Sequence, residues 1–301
     1  MIERLLIPLD GSEMSEAVLP AALELAQRSS AGVQLLHVLE QHAPQSVHGQ
    51  RHLRDAPEAE KYLEELARRI LPSGVDVHWH VHAEPVKNLA ASLVAHIREY
   101  RPDLVVMCSH GAVRLRDRLL GNMAQQVLGH RLAPVWLMRG SGKGQECFPF
   151  QRMLVPLDGQ EEHEQCLPLS AELARLSRCQ VTLLTVVPTA GSLRNGAAVA
   201  GSLMPGAARE ALDLQEQRAV EYIRVQAGRL RSEGIDSAGL VVRGDPGQAI
   251  VRSAARLGAD VIALGTHGKA GSKAFWAGSI LPRVIRRSRA SLLLVPVRTT
   301  P

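Results

Sequence analysis

Short apolar runs alternate with amphipathic helical stretches along the chain, once up to Met138 and again from Met153 onward. In the first half, Leu5–Leu9, Val33–Leu39, Val75–Val81, Leu104–Met107 and Val135–Met138 predict five strands. In the second, Met153–Leu157, Val181–Val187, Leu240–Val242, Val261–Leu264 and Leu292–Val295 predict five more. Runs such as Leu104-Val105-Val106-Met107 are apolar without alternation, as expected of strands buried on both faces of a parallel sheet. Leu19, Ala22, Leu23 and Ala26 recur at helical spacing and predict a helix covering one face. Pro20 and Pro168 fall at matching places and belong in a first helical turn, because an interior proline costs about 3 kcal/mol. Each half therefore reads as β-α-β units forming an α/β domain with helices on both faces of a parallel sheet.

The halves are copies of one another. Leu6-Ile7-Pro8-Leu9-Asp10-Gly11 returns as Leu154-Val155-Pro156-Leu157-Asp158-Gly159, an offset of 148 (158 minus 10). His110-Gly111 returns as His267-Gly268 at an offset of 157 (267 minus 110), so insertions lie between, expected mostly in loops. A repeat of this length is a whole domain. The expected organisation is a domain over residues 1–139, a linker over 140–151 and a second domain over 152–301. Gly140-Ser141-Gly142-Lys143-Gly144 reads as flexible linker: a Walker loop needs glycine where Leu137 stands and Ser or Thr where Gly144 stands. Long loops around 42–57 and 188–208 are expected over a ligand cleft.

Composition narrows the classes. With 301 residues, 46% of them hydrophobic, the chain has enough apolar material for two cores. Its runs fall short of the roughly 18–20 residues needed to span a bilayer, and its first residues lead straight into a strand, so the expected location is the cytoplasm. Four cysteines without CxxC spacing fit a reducing compartment. The net charge of +5 is spread among interleaved signs, and aromatics make up 3%, too few to stack single-stranded nucleic acid; no nucleic-acid or membrane partner is expected.

The chemistry concentrates in one spacing. Gly265-Thr266-His267-Gly268, nine residues, then Gly278-Ser279 follows the fourth strand of the second half. Glycines there let backbone approach phosphate closely, and Ser279 offers a hydroxyl at a helix start. In an open parallel sheet, ligands gather at the carboxyl ends of strands, which brings Asp158, Val186 and Gly265 to one cleft. Asp158 can accept a hydrogen bond from an adenine amino group or a ribose hydroxyl, or support a metal ion. Val186 can meet a base through its backbone and apolar side chain. The alternatives are an ordinary strand-to-helix turn for Asp158-Gly159 and an ordinary cap for Ser279.

With these motifs and the closing Leu294-Val295-Pro296-Val297, the chain resembles a tandem universal stress protein, two UspA-type domains in a row. The resemblance implies sheets in strand order 3-2-1-4-5 and ATP or another adenine nucleotide as ligand; Mg is considered alongside the nucleotide but does not follow from the resemblance. It places adenosine against Asp158 and Val186, and ribose and phosphates against Gly265, Gly268, Gly278, Ser279 and Ile280. Pro156, Leu264 and His267 complete that lining. It also implies pairing of domains through the last strand, as an internal pseudo-dimer or a homodimer, and a role in stress regulation. The first half departs from the motif: Cys108 stands for the first glycine and Asn122 for the serine. Cys108 would be strained if its position needs positive φ. Asp10, Val38, Gly111 and Gly121 remain and, with Asn122, define a weaker first site.

Two further readings compete with nucleotide sensing: a nucleotide-free scaffold, and a slow ATP hydrolase in which Asp158 or His267 is placed to act. The persistence of His110 beside the altered motif favours a structural role for His267. No catalytic residue and no protein-bound metal is assigned. His78, His80 and His82 share one strand face by alternation, with Val77, Trp79 and Val81 opposite; His-x-His on a strand can ligate zinc, but no nearby Cys or carboxylate completes a ligand set, and the favoured reading is the polar face of an edge strand.

Overall fold

The computed structural model describes residues 1–41, 46–47, 50–51, 53–70, 74–109, 122–139, 148–189, 205–266 and 280–297. The first half forms β1 (Arg4–Pro8), α1 (Glu13–Glu16), α2 (Leu19–Ser29), β2 (Gly32–Glu40) and a small hairpin of β3 (Ser46–Val47) and β4 (Gln50–Arg51). It continues with α3 (Ala56–Ile70), β5 (Val77–Val86), α4 (Leu89–Tyr100), β6 (Leu104–Ser109), α5 (Asn122–Gly129) and β7 (Val135–Arg139). The second half runs β8 (Arg152–Pro156), α6 (Glu161–Glu164), α7 (Leu167–Ser177), β9 (Gln180–Val187), α8 (Pro205–Ser232) and β10 (Ser237–Arg243). It ends with α9 (Pro246–Leu257), β11 (Val261–Thr266), α10 (Leu281–Arg287) and β12 (Ser291–Pro296).

Packing divides the chain into two compact units, one built on Met1–Pro149 together with β12, the other on Phe150–Gly265 together with α10. In the first unit, β5-β2-β1-β6-β7 lie side by side and parallel, the order 3-2-1-4-5. β12 joins β7 there in antiparallel register, Leu292 opposite Leu137 and Leu294 opposite Val135. In the second unit the order is β10-β9-β8-β11, again parallel.

All ten predicted main strands are present, and the central ones are fully buried: Leu5, Ile7, Leu104–Val106, Leu154, Val155 and Val261–Ala263 are at 0% exposure. Pro20 and Pro168 sit in the first turns of α2 and α7, and both helices end on a left-handed residue, Ser30 or Arg178. The insertion between the halves falls in a helix rather than in the loops, for α8 has 28 residues where α3 has 15. Residues 140–147 and 190–204 of the expected linker and second long loop lie outside the described residues.

Aspartates tie the strand beginnings together. Asp103 Oδ2 accepts the backbone N–H groups of Glu3 (2.9 Å) and Arg4 (3.0 Å), and Asp260 Oδ2 accepts those of Gln151 (2.6 Å) and Arg152 (2.8 Å). The carboxylate satisfies two donors that the ladder leaves over and sets the first strand of each unit against the fourth.

Candidate functional site

In the second unit β8 lies between β9 and β11, so their carboxyl ends are adjacent. Pro156 closes β8 opposite Leu184, and the Leu157 N–H donates to Leu184 O at 2.8 Å. Asp158 follows, and Gly159 turns the chain with φ +83° into α6. Val186, Leu264 and Gly265, at the ends of the flanking strands, are each half-buried. Cys166, at the start of α7, is fully buried, and burial pushes its thiol up to about 12 despite a hydrogen bond with the Gly265 backbone. Ile280, at the N-cap of α10, is 39% exposed.

Helix α10 is held in place by the helix before it. Asp245 caps α9 by accepting the Gln248 N–H (3.0 Å) and pairs with Arg283 of α10. Gly247 makes room, since a Cβ there would stand 2.7 Å from Arg283 Cδ. The structure thus brings Pro156, Asp158, Val186, Leu264 and Gly265 to one end of the sheet and fixes Ile280 on a braced helix. His267, Gly268, Gly278 and Ser279 lie outside the described residues.

Asp158 already has neighbours. Its Oδ1 accepts the Gln160 N–H (3.1 Å), and His163 Nδ1 lies 2.9 Å from Oδ1 and 2.8 Å from Oδ2. Burial pushes the Asp158 pKa upward, but the His163 hydrogen bond and charge, with the backbone N–H groups, outweigh it and hold the carboxyl below its ordinary value. The hydrogen bond to Asp158 raises His163 above its ordinary value; burial opposes the rise, and the charges of Asp158 and Glu162 add to it. A carboxylate offers about four lone-pair positions, so these contacts leave Asp158 with acceptor capacity at its half-exposed edge.

The first unit builds the same corner differently. Asp10 Oδ1 accepts from Ser12 N–H (2.9 Å) and Ser12 O–H (2.6 Å), and the Ser15 N–H donates to Ser12 Oγ (3.1 Å). Ser15 occupies the position of His163. Behind it, His37 is buried with Nδ1 2.7 Å from Leu9 O, where β9 has Thr185. A cleft with about 670 Å³ of empty volume, counting its open mouth, is lined by Asp10, Ser12, Val38, Cys108 and several apolar side chains, among them Met14 and Met107.

Cys108 is not strained. It lies in extended strand β6 opposite Met138, within regular parallel pairing, and a side chain is at ease there. The loss of glycine therefore acts through the thiol lining the cleft, not through the backbone. Gly111 and Gly121 lie outside the described residues, and Asn122 opens α5.

Several contacts had no local sequence signal. Tyr62 donates to Glu16 (3.0 Å) and Tyr222 to Glu164 (2.7 Å), twin bonds that pin α1 to α3 and α6 to α8 beside each aspartate corner. The halves' alignment places Glu16 on Glu164, but not the tyrosines, because α8 is longer. Of the three strand histidines, His78 faces Asp76 at 3.3 Å, whereas His80 and His82 meet His96 of α4.

A parallel sheet with helices between its strands and an aspartate turn at the carboxyl end of each unit's first strand defines a doubly wound α/β protein. The profile of the Universal stress protein family matches residues 1–139 and again 149–296, so the chain belongs to that family as a tandem pair. Universal stress protein YxiE of Bacillus subtilis (strain 168) is 27% identical over 152 residues, 46% of this chain and all of YxiE. A universal stress protein from Archaeoglobus fulgidus DSM 4304 has the same fold over 98% of this chain and 96% of its own, at 20% identity and a TM-score of 0.69. The cytoplasmic domain of a prokaryotic cation chloride cotransporter shares it over 98% and 95%, at 12% identity and a TM-score of 0.56. Among the described residues, no helix is long and apolar enough to cross a membrane.

Proposed function

We propose that this universal stress protein binds ATP or a related adenine nucleotide in the second unit and acts as a nucleotide-dependent regulator in the stress response. The observation that carries the reading is the adjacency of Asp158, Val186 and Gly265 on three neighbouring strands, with the glycine spacing running on from Gly265. Asp158 retains acceptor capacity for the adenosine end, while the segment after β11 and the start of α10 supply the phosphate end. The first unit keeps its aspartate but has Cys108, which lines its cleft, where the second has Gly265.

A nucleotide bound to the folded state raises its stability by mass action. A thermal-shift titration with ATP is expected to raise the melting temperature of the wild-type chain and to leave Gly265→Val unmoved. Cys108 carries a side chain at the matching position of β6, and a circular-dichroism spectrum of Gly265→Val checks that the variant keeps the fold. No shift in the wild type overturns the reading.

The hold of His163 on Asp158 favours a second reading, a scaffold that acts without nucleotide through its surfaces. Protein denatured after gentle purification separates the two, because a tight nucleotide is released and a scaffold releases none.

A further inference from the structure

At the free edge of the first unit's sheet, three histidines from two elements converge. Among the described residues, β5 is the last strand of that sheet and pairs with β2. His80 and His82, two residues apart, share one face of it. α4 follows β5 directly and brings in His96, whose Nε2 lies 3.2 Å from His82 Nδ1. The rings of His80 and His82 are centred 5.0 and 5.1 Å from that of His96. One ring nitrogen from each of the three lies within 4.8 Å of the others. His80 is exposed and the other two half-buried, which leaves a path from solvent. The other nitrogen of His96, Nδ1, faces Glu99 Oε2 at 3.9 Å.

We propose that His80, His82 and His96 form a binding site for a zinc-type divalent transition-metal ion. Zinc holds imidazole nitrogens at about 2.0–2.1 Å in tetrahedral geometry, which sets neighbouring ligand nitrogens about 3.3 Å apart. The His82–His96 separation already matches. His80, being exposed, closes the remaining gap by side-chain rotation. A water molecule takes the fourth position on the open side.

Three nitrogen ligands with no protein oxygen among them suit zinc, copper or nickel and disfavour magnesium and calcium. The ordinary alternative is a hydrogen bond between two surface imidazoles, which uses one proton and leaves His80 without a role. A bound ion engages all three lone pairs.

The ion would join the edge strand to α4, whose Leu89 and Leu93 line the first unit's cleft. The site is independent of nucleotide binding in the second unit.

The test uses the full chain, stripped with chelator and titrated with Zn²⁺ and, for its spectrum, Co²⁺. The wild type and His78→Ala are expected to retain one zinc ion per chain through desalting and to give the intense visible bands of tetrahedral cobalt. His96→Ala and the double variant His80→Ala/His82→Ala are expected to lose both. In the wild type, zinc is expected to protect His80, His82 and His96, but not His78, from diethylpyrocarbonate, which keeps the test independent of any variant's folding. No retained zinc, uptake unchanged in His96→Ala, or equal modification of all four histidines overturns the proposal.

Discussion

His163 places its Nδ1 2.8 Å from Asp158 Oδ2, at the residue assigned to the adenosine end of the second cleft. The pairing makes stability pH-dependent. His163 is raised above its ordinary 6.5, so its contribution is whole below that pH and is lost as pH rises through the higher folded value. Asp158 is lowered from 3.8, so its contribution is present above that pH and is lost as pH falls through the lower folded value. The stability difference between the wild type and His163→Gln is expected to be largest between pH 3.8 and 6.5 and to shrink in alkali. Both groups are partly exposed, so the difference is small. Denaturant melts across the pH range measure it, and a flat difference contradicts the pairing.

The two glycines after the cleft aspartates are not equivalent. Gly11 (φ +84°) and Gly159 (φ +83°) share a left-handed backbone that costs a side chain about 1–2 kcal/mol. A Cβ on Gly11 would also stand 2.8 Å from buried Leu53 Cγ, whereas nothing lies within 4 Å of one on Gly159. Chemical denaturation is expected to show Gly11→Ala as the more costly substitution. Equal losses would mean that Leu53 yields freely.

Asp103 and Asp260 each hold two backbone N–H groups at the start of a unit's first strand. Alanine at either site is expected to cost about 1–2 kcal/mol, and asparagine, which keeps an acceptor, less. Their effects are expected to add, since the residues belong to different units. An asparagine variant as unstable as the alanine one contradicts this role.

Cysteine reactivity separates the cleft from the core. Burial pushes the thiols of Cys166 and Cys179 up to about 12, while Cys108 lines the first cleft. In a Cys147→Ser background, which removes the cysteine outside the described residues, a neutral-pH thiol reagent is expected to label Cys108 alone until the chain is denatured. Native labelling of Cys166 contradicts the packing of α7 against Gly265.

Much of the fold is legible in the sequence, because strands buried on both faces write themselves as apolar runs. The edges are harder: β10 is half-buried and reads as Leu240–Val242 where it spans Ser237–Arg243, and β5 extends through polar positions to Val86. The aspartate and glycine positions are legible because the two halves can be laid on each other. What surrounds them is not. His163 stands where the first half has Ser15, and only the turn geometry brings its ring to Asp158. His96 lies a strand-to-helix connection away from His82, with no periodicity to link them. Cys108 misleads for the opposite reason, since a glycine at a strand end need not have left-handed backbone.

Nucleotide stoichiometry bears most directly on the central claim. Equilibrium dialysis of the full chain against labelled ATP is expected to give close to one nucleotide per chain, abolished by Gly265→Val and retained in Asp10→Ala. No binding, or binding lost with Asp10→Ala and kept in Gly265→Val, would contradict the assignment to the second unit.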